Sequence, residues 1–204
     1  MKALNLVITG VGGQGIILAS NILGEVARLS GYDIKKTDTL GMAQRGGSVI
    51  SHLRIGPKVH SPLIREGDVD LMLALEKLEG ARWSHYLKKG SVAIINDYTM
   101  PPPSVSLGDE EYPSDNTISA MLLRPQGYVY FVDAASHAAE LGNARVFNVF
   151  LLGCTSVYTP FRLKEWREAI MRLVPAKVSD LNWLAFGKGR KELRAIRKRD
   201  SKIG

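Results

Sequence analysis

Cysteine and histidine are scarce in this sequence, and their scarcity excludes several kinds of site. Of 204 residues, one is cysteine and four are histidine. A single cysteine cannot form an internal disulfide or ligate an iron-sulfur cluster, which takes about four thiolates. The histidines lack the i, i+4 and Cys-x-x-Cys spacings that are typical of metal sites. We therefore expect this chain to bind no metal and no cluster, and we expect Cys154, in an apolar segment, to be a buried structural thiol.

Long apolar runs are missing as well. No run approaches the roughly 20 residues that a membrane helix needs. The N-terminal stretch has neither the apolar core nor the cleavage site of a signal peptide. A hydrophobic share of 45% is that of an ordinary soluble protein. We therefore expect a cytoplasmic protein without membrane association.

Positive charge is in excess, and the excess lies at one end of the chain. From residue 187 to residue 204, eight basic residues accompany two acidic ones, a net charge of +6, whereas the other 186 residues hold nineteen basic and eighteen acidic residues, a net charge of +1. We expect residues 1–186 to form a single domain and residues 187–204 a basic C-terminal tail, a solvated and partly disordered helix end. Nucleic-acid binding would rest on this tail alone, and the tail lacks the aromatic residues that stacking on single strands requires.

Buried strands alternate with amphipathic helices along most of the sequence. The predicted strands are 4–9, 32–37, 48–55, 69–75, 91–96 and 128–134. The predicted helices are 13–30, 76–87, 115–123, 145–158, 163–173 and one that begins near 179. Strand 48–55 alternates apolar and polar residues, which predicts a half-exposed strand in a hairpin with residues 59–61. The alternation as a whole predicts a three-layer α/β/α Rossmann-like sandwich with a mostly parallel sheet.

A first glycine loop follows the first strand, in the stretch "ITGVGGQGI" of residues 8–16. Gly10, Gly12 and Gly15 form a Gly-x-Gly-x-x-Gly motif between a strand and a helix, where free amides can meet a pyrophosphate. A dinucleotide site also needs an acidic residue about 20 positions on, and Asp38 is the candidate. Alternatively, the glycines serve only a tight turn and close helix packing. On this loop alone, both interpretations stand.

A second glycine loop, Gly41–Gly47 in "GMAQRGGS", follows the second predicted strand. It should emerge at the same carboxyl edge of the sheet as the first loop, where α/β proteins bind ligands. Arg45 can clamp a carboxylate or phosphate, and Gln44 can donate or accept a hydrogen bond beside it. Neither side chain is a good nucleophile or base. The loop is therefore predicted to position and stabilise charge, and no catalytic residue is assigned.

Both loops, together with four further segments, resemble the gamma-type component of the 2-oxoacid:ferredoxin oxidoreductases, and most nearly its indolepyruvate type. The segments that carry the resemblance are 10–20, 41–56, 61–79, 101–103, 142–153 and 181–190. They cover nearly the whole chain apart from the basic tail. Their combination is far more specific than a single glycine motif.

The resemblance implies a subunit that is inactive alone. Complexes of this family oxidatively decarboxylate 2-oxoacids to acyl-CoA, with coenzyme A (CoA) as co-substrate, and pass electrons to ferredoxin. In the indolepyruvate type, thiamine diphosphate and 4Fe-4S clusters lie in a larger alpha subunit, and the substrates are aryl pyruvates. The sequence agrees with this division, because Gly67-Asp68 is followed by Val69 and so lacks the Gly-Asp-Gly thiamine motif.

The resemblance also suggests which residues face the partner. The loop expected to meet the alpha-subunit active site and CoA contains Met42, Gln44, Arg45, Gly46 and Gly47. The expected wall of the adjoining crevice consists of Gly10, Gly12, Gly13, Gln14 and Gly15. One alternative is a gamma subunit for pyruvate, 2-oxoisovalerate or 2-oxoglutarate. Another is an autonomous NAD- or nucleotide-binding protein, in which His52 or His137 would be the acid or base.

Overall fold

The chain is seen in a computed structural model that describes residues 3–40, 46–102, 105, 111–123 and 127–200. The strands are β1 (Leu4–Val11), β2 (Asp33–Leu40), β3 (Ser48–Gly56), β4 (Val69–Ala74), β5 (Leu87–Asn96) and β6 (Tyr128–Val132). They form one six-stranded sheet in the order β2-β3-β1-β4-β5-β6. Three of the five strand pairs, β1–β4, β4–β5 and β5–β6, are parallel. The predicted mostly parallel sheet is therefore confirmed.

Helices cover both faces of the sheet. They are α1 (Ile16–Leu29), α2 (Lys77–Arg82), α3 (Asp115–Leu123), α4 (Ala134–Glu140), α5 (Phe147–Thr155), α6 (Leu163–Leu173) and α7 (Ala176–Asp200). Apolar side chains of α1, α5, α6 and α7 pack in one cluster with Leu6 and Ile8 of β1. Side chains of α2 and α3 pack on the opposite face, in a cluster with Val7. This arrangement is the predicted three-layer sandwich. None of the described helices has the length and hydropathy of a membrane span.

Strand β3 is an interior strand, and the prediction that it is half-exposed was wrong. It lies antiparallel between β2 and β1, with Ser51 paired to both Asp38 and Ile8. The alternating polar residues of β3 indicated a solvent-exposed face, but Ser51 is buried and donates a hydrogen bond of 2.6 Å to Asp38 Oδ1. Residues 59–61 form no strand, so the predicted hairpin is also wrong. The actual hairpin joins β2 to β3 through the second glycine loop.

Two glycines allow α5 and α7 to cross in backbone contact. A Cβ atom on Gly153 would lie 2.0 Å from the carbonyl oxygen of Phe186, and one on Gly189 would lie 1.9 Å from that of Phe150. Both glycines are therefore required by the closeness of the helices. The predicted boundary between domain and tail, at residue 187, falls inside α7. Leu193, beyond that boundary, is buried in the same core cluster as the sheet.

Candidate functional site

The two glycine loops meet at the carboxyl edge of the sheet. The Gly12 amide donates a hydrogen bond of 2.8 Å to the Gly47 carbonyl, and the Gly46 amide donates one of 3.3 Å to the Gly12 carbonyl. The pairing of Val11 with Ser48 continues this contact into the sheet. The loops are thus brought together at Gly12, Gly46 and Gly47. The other predicted partner-facing residues, Met42, Gln44 and Arg45, lie outside the described residues.

The first glycine loop turns the chain sharply from β1 into α1. Gly13 and Gly15 have φ angles of +104° and +85°, which glycine adopts far more readily than other residues. A Cβ atom on Gly15 would lie 2.3 Å from Nδ2 of Asn148 in α5. Among the described residues, no side chain caps this end of α1. The amides of its first turn therefore place the positive end of the helix dipole at the end of the first glycine loop.

Gln14 is a structural brace of this loop. It is 6% exposed, and its Oε1 accepts a hydrogen bond of 2.8 Å from the Val11 amide. Its Nε2 donates to the Leu75 carbonyl, 3.3 Å away. Both hydrogen bonds lie within the protein, so Gln14 shapes the crevice wall by holding β1 to the end of β4.

Asn96 completes the same network, and sequence reasoning did not identify it. Its Nδ2 donates to the Leu75 carbonyl over 3.1 Å, and its Oδ1 accepts from the Ala134 amide over 3.1 Å. The side chain thereby ties the ends of β4 and β5 to the start of α4. The available signal was an amide residue at the end of the apolar run "SVAIIN". A polar residue that follows a buried strand commonly serves the edge where sites form.

A crevice of about 360 Å³ lies beside the first glycine loop. Its lining comprises Gly12, Gly13, Gln14, Asn96, Tyr98, Met100, Ala135, Ala144 and Phe147. Its walls are mainly carbon, and the backbone of the first glycine loop supplies polar atoms, while the Gly12 amide and the Asn96 side chain are already hydrogen-bonded within the protein. Such a site suits a ligand that carries both an apolar part and an anionic group.

A second cavity, also of about 360 Å³, lies between Gly46–Gly47 and α2. It contains Glu79, which is 4% exposed. Glu79 Oε2 accepts hydrogen bonds from the Ser48 hydroxyl and from Trp83 Nε1, the latter over 3.3 Å, while Arg82 Nε lies 3.3 Å from Oε1. Burial raises the pKa of Glu79 above its ordinary value, although Ser48 and Arg82 act in the opposite direction. The carboxyl group thus anchors Ser48, the residue that directly follows the second glycine loop.

Glu76, the other carboxyl group in this cavity, holds the turn from β4 into α2. Its Oε2 caps the helix by accepting from the Glu79 amide over 2.8 Å. Its Oε1 accepts from the Tyr112 hydroxyl over 2.5 Å and from the Met100 amide over 3.3 Å. All of these bonds are internal. Glu76 therefore acts as scaffolding for the edge.

The residues that a dinucleotide-binding enzyme would use do not converge on the crevice. Asp38 accepts from Ser51 and lies 2.9 Å from Lys36 Nζ. Strand β3 separates it from β1, a lateral distance of about 10 Å at two strand spacings. The order of strands therefore keeps this carboxylate away from the first glycine loop.

The two histidines considered as acid or base also lie away from the crevice lining. His52 is 4% exposed, its ring centroid lies 5.3 Å from that of Tyr86, and burial lowers its pKa. The His137 ring stacks on Phe150 with a centroid distance of 5.0 Å. Both histidines fit packing roles.

The expectation that Cys154 is a buried thiol is confirmed, and burial raises its pKa. Within the described ranges, no group of three metal-ligating side chains occurs.

Sequence comparisons relate the chain to oxidoreductase subunits. Residues 5–192 match the family described as pyruvate ferredoxin/flavodoxin oxidoreductase. The chain is 40% identical, over 192 residues, to the indolepyruvate oxidoreductase subunit IorB of Thermococcus kodakarensis, covering 93% of this chain and 95% of the relative. It is 39% identical, over 188 residues, to the subunit of the same name from Archaeoglobus fulgidus, covering 91% and 93%. The 2-oxoglutarate synthase subunit KorC of Methanothermobacter thermautotrophicus is 30% identical over 193 residues, covering 90% and 91%.

Solved structures share the fold. The gamma subunit of a keto/oxoacid ferredoxin oxidoreductase from Geobacter sulfurreducens superposes with a TM-score of 0.70 at 23% identity, covering 94% of this chain and 99% of that one. The 2-oxoglutarate:ferredoxin oxidoreductase of Magnetococcus marinus, with 2-oxoglutarate, coenzyme A and succinyl-CoA bound, gives a TM-score of 0.74 at 20% identity. That match covers 96% of this chain and 32% of the other chain. At these identities the likeness establishes the fold.

Proposed function

Because this chain belongs to the pyruvate ferredoxin/flavodoxin oxidoreductase family, we propose that it is the cofactor-free subunit of an indolepyruvate:ferredoxin oxidoreductase. The observation that carries the proposal is the 40% identity, over almost the full length of both chains, to a subunit named for indolepyruvate. Identity to a subunit named for 2-oxoglutarate is 30%. This difference favours aryl pyruvates as substrates over 2-oxoglutarate.

The partner in this proposal is a larger alpha subunit that carries thiamine diphosphate and 4Fe-4S clusters. When bound there, these groups supply the decarboxylation of the 2-oxoacid and the transfer of its electrons to ferredoxin, while CoA accepts the acyl group. The residues of this chain fit the division of labour, because its single cysteine, Cys154, is buried in the core. We place the complex in the cytoplasm.

The second glycine loop is the part of this chain that we assign to the partner's active site. Arg45 and Gln44 would hold an anionic group of CoA or of the 2-oxoacid there. The two hydrogen bonds between Gly12 and residues 46–47 support this assignment, because they fix the base of the loop to the first glycine loop, directly before α1. The uncapped amides beside Gly15 would face a phosphate of CoA. This chain then positions charge and excludes water, and the chemical steps occur in the partner.

Replacement of Arg45 by alanine tests the assigned role in the reconstituted complex. If Arg45 binds an anionic part of CoA, the KM for CoA in ferredoxin reduction should rise by about tenfold or more, with a smaller change in kcat. Arg172→Ala is the matched control, because Arg172 pairs with Glu25 on the helical face, at 2.8 Å. An unchanged KM for CoA in Arg45→Ala would contradict the role of the loop. A fully active free monomer, without a large cofactor-bearing partner on co-purification, would contradict the proposed function itself.

A further inference from the structure

The two outer strands of the sheet differ in how their edges are protected. Strand β2 carries an exposed ion pair between Lys35 and Asp33 at 3.2 Å. Strand β6, "YVYFV", contains no charged residue. Tyr128 is 63% exposed and Phe131 is 37% exposed. Soluble proteins usually protect edge strands with charges, proline or a covering element, because an apolar edge pairs with other chains. Among the described strands, only β5 pairs with β6, and no described strand covers its outer edge.

A groove of about 550 Å³ lies over the first residues of β6 and the neighbouring residues Gly90 and Val92 of β5. Its walls include the side chains of Tyr128, Tyr130, Tyr158 and Arg197. The Tyr158 hydroxyl donates to the Tyr130 hydroxyl over 2.8 Å, and the Arg197 guanidinium carbon lies 4.8 Å from the centroid of the Tyr158 ring. The groove therefore offers aromatic surface along the strand and a cation at its rim.

That cation belongs to a row of arginines on α7. Arg190, Arg194 and Arg197 follow the i, i+4, i+7 spacing that places residues on one helix face. Arg190 is held by Ser156, whose hydroxyl oxygen accepts from Nη1 over 2.7 Å. In the part of the chain that the structure describes, none of these three arginines forms an ion pair with a carboxylate. Arg197 thus supplies positive charge at the groove, and Arg190 and Arg194 extend the same helix face beyond the residues that line it.

We propose that the outer edge of β6 and this groove bind an extended, carboxylate-bearing segment of the large subunit, which adds a strand to the sheet. The inference rests on the proposed function, which supplies the partner. Carboxylates on the added segment complement the arginine row. If the added strand were β6 of a second copy of this chain, it would bring a second arginine row and no carboxylates, so the positive charges would not be complemented. A transient partner would leave the apolar edge uncovered between encounters, whereas a permanent subunit covers it continuously.

Substitutions that change charge at the two edge strands test the proposal, when association with the purified large subunit is measured. Tyr128→Lys places a charge on the β6 edge, and Arg197→Glu reverses the charge at the groove rim. Each should weaken association by about tenfold or more. The matched control on the other edge is Lys35→Glu, near the opposite end of β2 from the second glycine loop, which should change association by less than about twofold. Thermal melting of each variant alone verifies that it is folded.

Photo-crosslinking identifies the occupant directly. A photoreactive amino acid at position 128 of the full chain, in the reconstituted complex, should crosslink to a segment of the large subunit that contains carboxylates. Unchanged association of folded Tyr128→Lys and Arg197→Glu, or a crosslink to a second copy of this chain, would overturn the inference and leave the proposed function intact. If the wild-type chain fails to bind the large subunit at all, both proposals fail.

Discussion

Glycine is essential both at the crossing of α5 and α7 and in the first glycine loop, but the physical reasons differ. At the crossing, Gly153 and Gly189 have helical backbones, and a Cβ atom on either would lie within 2.0 Å of a backbone oxygen. In the loop, Gly13 has open space around it, yet its φ angle is +104°. One region needs glycine for its lack of volume, and the other for its backbone freedom. Residue type alone does not distinguish these roles, whereas matched substitutions do.

The largest effect is expected at the crossing. Gly189→Ala places a Cβ atom 1.9 Å from the Phe150 carbonyl oxygen, which is backbone and cannot rotate away. The helices must separate, so we expect a loss of about 3 kcal/mol or more in the free energy of unfolding. This corresponds to a fall in Tm of roughly 6–12 °C for a chain of this size.

Gly187→Ala is the control on the same helix, because its Cβ atom would meet nothing within 4 Å. It should stabilise the protein by up to about 1 kcal/mol through helix propensity. Differential scanning calorimetry of the two variants provides the measurement. Equal Tm changes for both would refute the claim that close contact requires glycine at position 189.

A smaller effect is expected in the first glycine loop. Gly13→Ala and Gly15→Ala both force a residue with a side chain into the left-handed region, which costs about 1–2 kcal/mol. Gly15→Ala also brings its Cβ atom to 2.3 Å from Asn148 Nδ2, but that side chain can turn away. Chemical denaturation should therefore give similar losses, slightly larger at position 15. Adding Asn148→Ala to Gly15→Ala should restore only the part of the lost stability by which position 15 exceeds position 13. If Gly13→Ala leaves the free energy of unfolding unchanged, the loop does not require glycine at that position.

The smallest effect concerns the carboxyl group beneath the second glycine loop. Burial raises the pKa of Glu79 in the folded state, so folding favours its protonated form. The free energy of unfolding should then decline as pH rises from the unfolded to the folded pKa of this group, and level off above it. Glu79→Gln, which cannot ionise, should remove this decline in denaturation curves measured across that pH interval. Glu66→Gln, at an exposed carboxyl group, is the control and should leave the decline in place. A steeper decline in Glu79→Gln than in the wild type would contradict the predicted direction of the pH dependence.

Much of the fold follows from local sequence patterns. The glycine-to-helix turn at Gly15, the buried strand before it and the buried Cys154 were all predicted, because periodicity and backbone preference act over a few residues. Strand β3 was misjudged, since Ser51 and His52 look solvent-facing until their buried surroundings are known. The helix α4 was not predicted, although Asp133 caps it by accepting from the Ser136 amide over 2.9 Å. At the site, the meeting of two loops was predicted, while the role of Asn96 required the fold.

By itself, the sequence determined the order of the strands and of most helices, the positions of the glycine turns and membership in a protein family. Each of these depends on residues close together in the chain or on several motifs that occur in a fixed order. The tertiary structure decided which elements are neighbours. It placed β3 between β1 and β2, and so kept Asp38 from the first glycine loop. It also set Gly189 against Phe150, which makes α7 as far as Leu193 part of the core. These outcomes depend on contacts between residues distant in sequence, whose energies arise only when the whole chain packs.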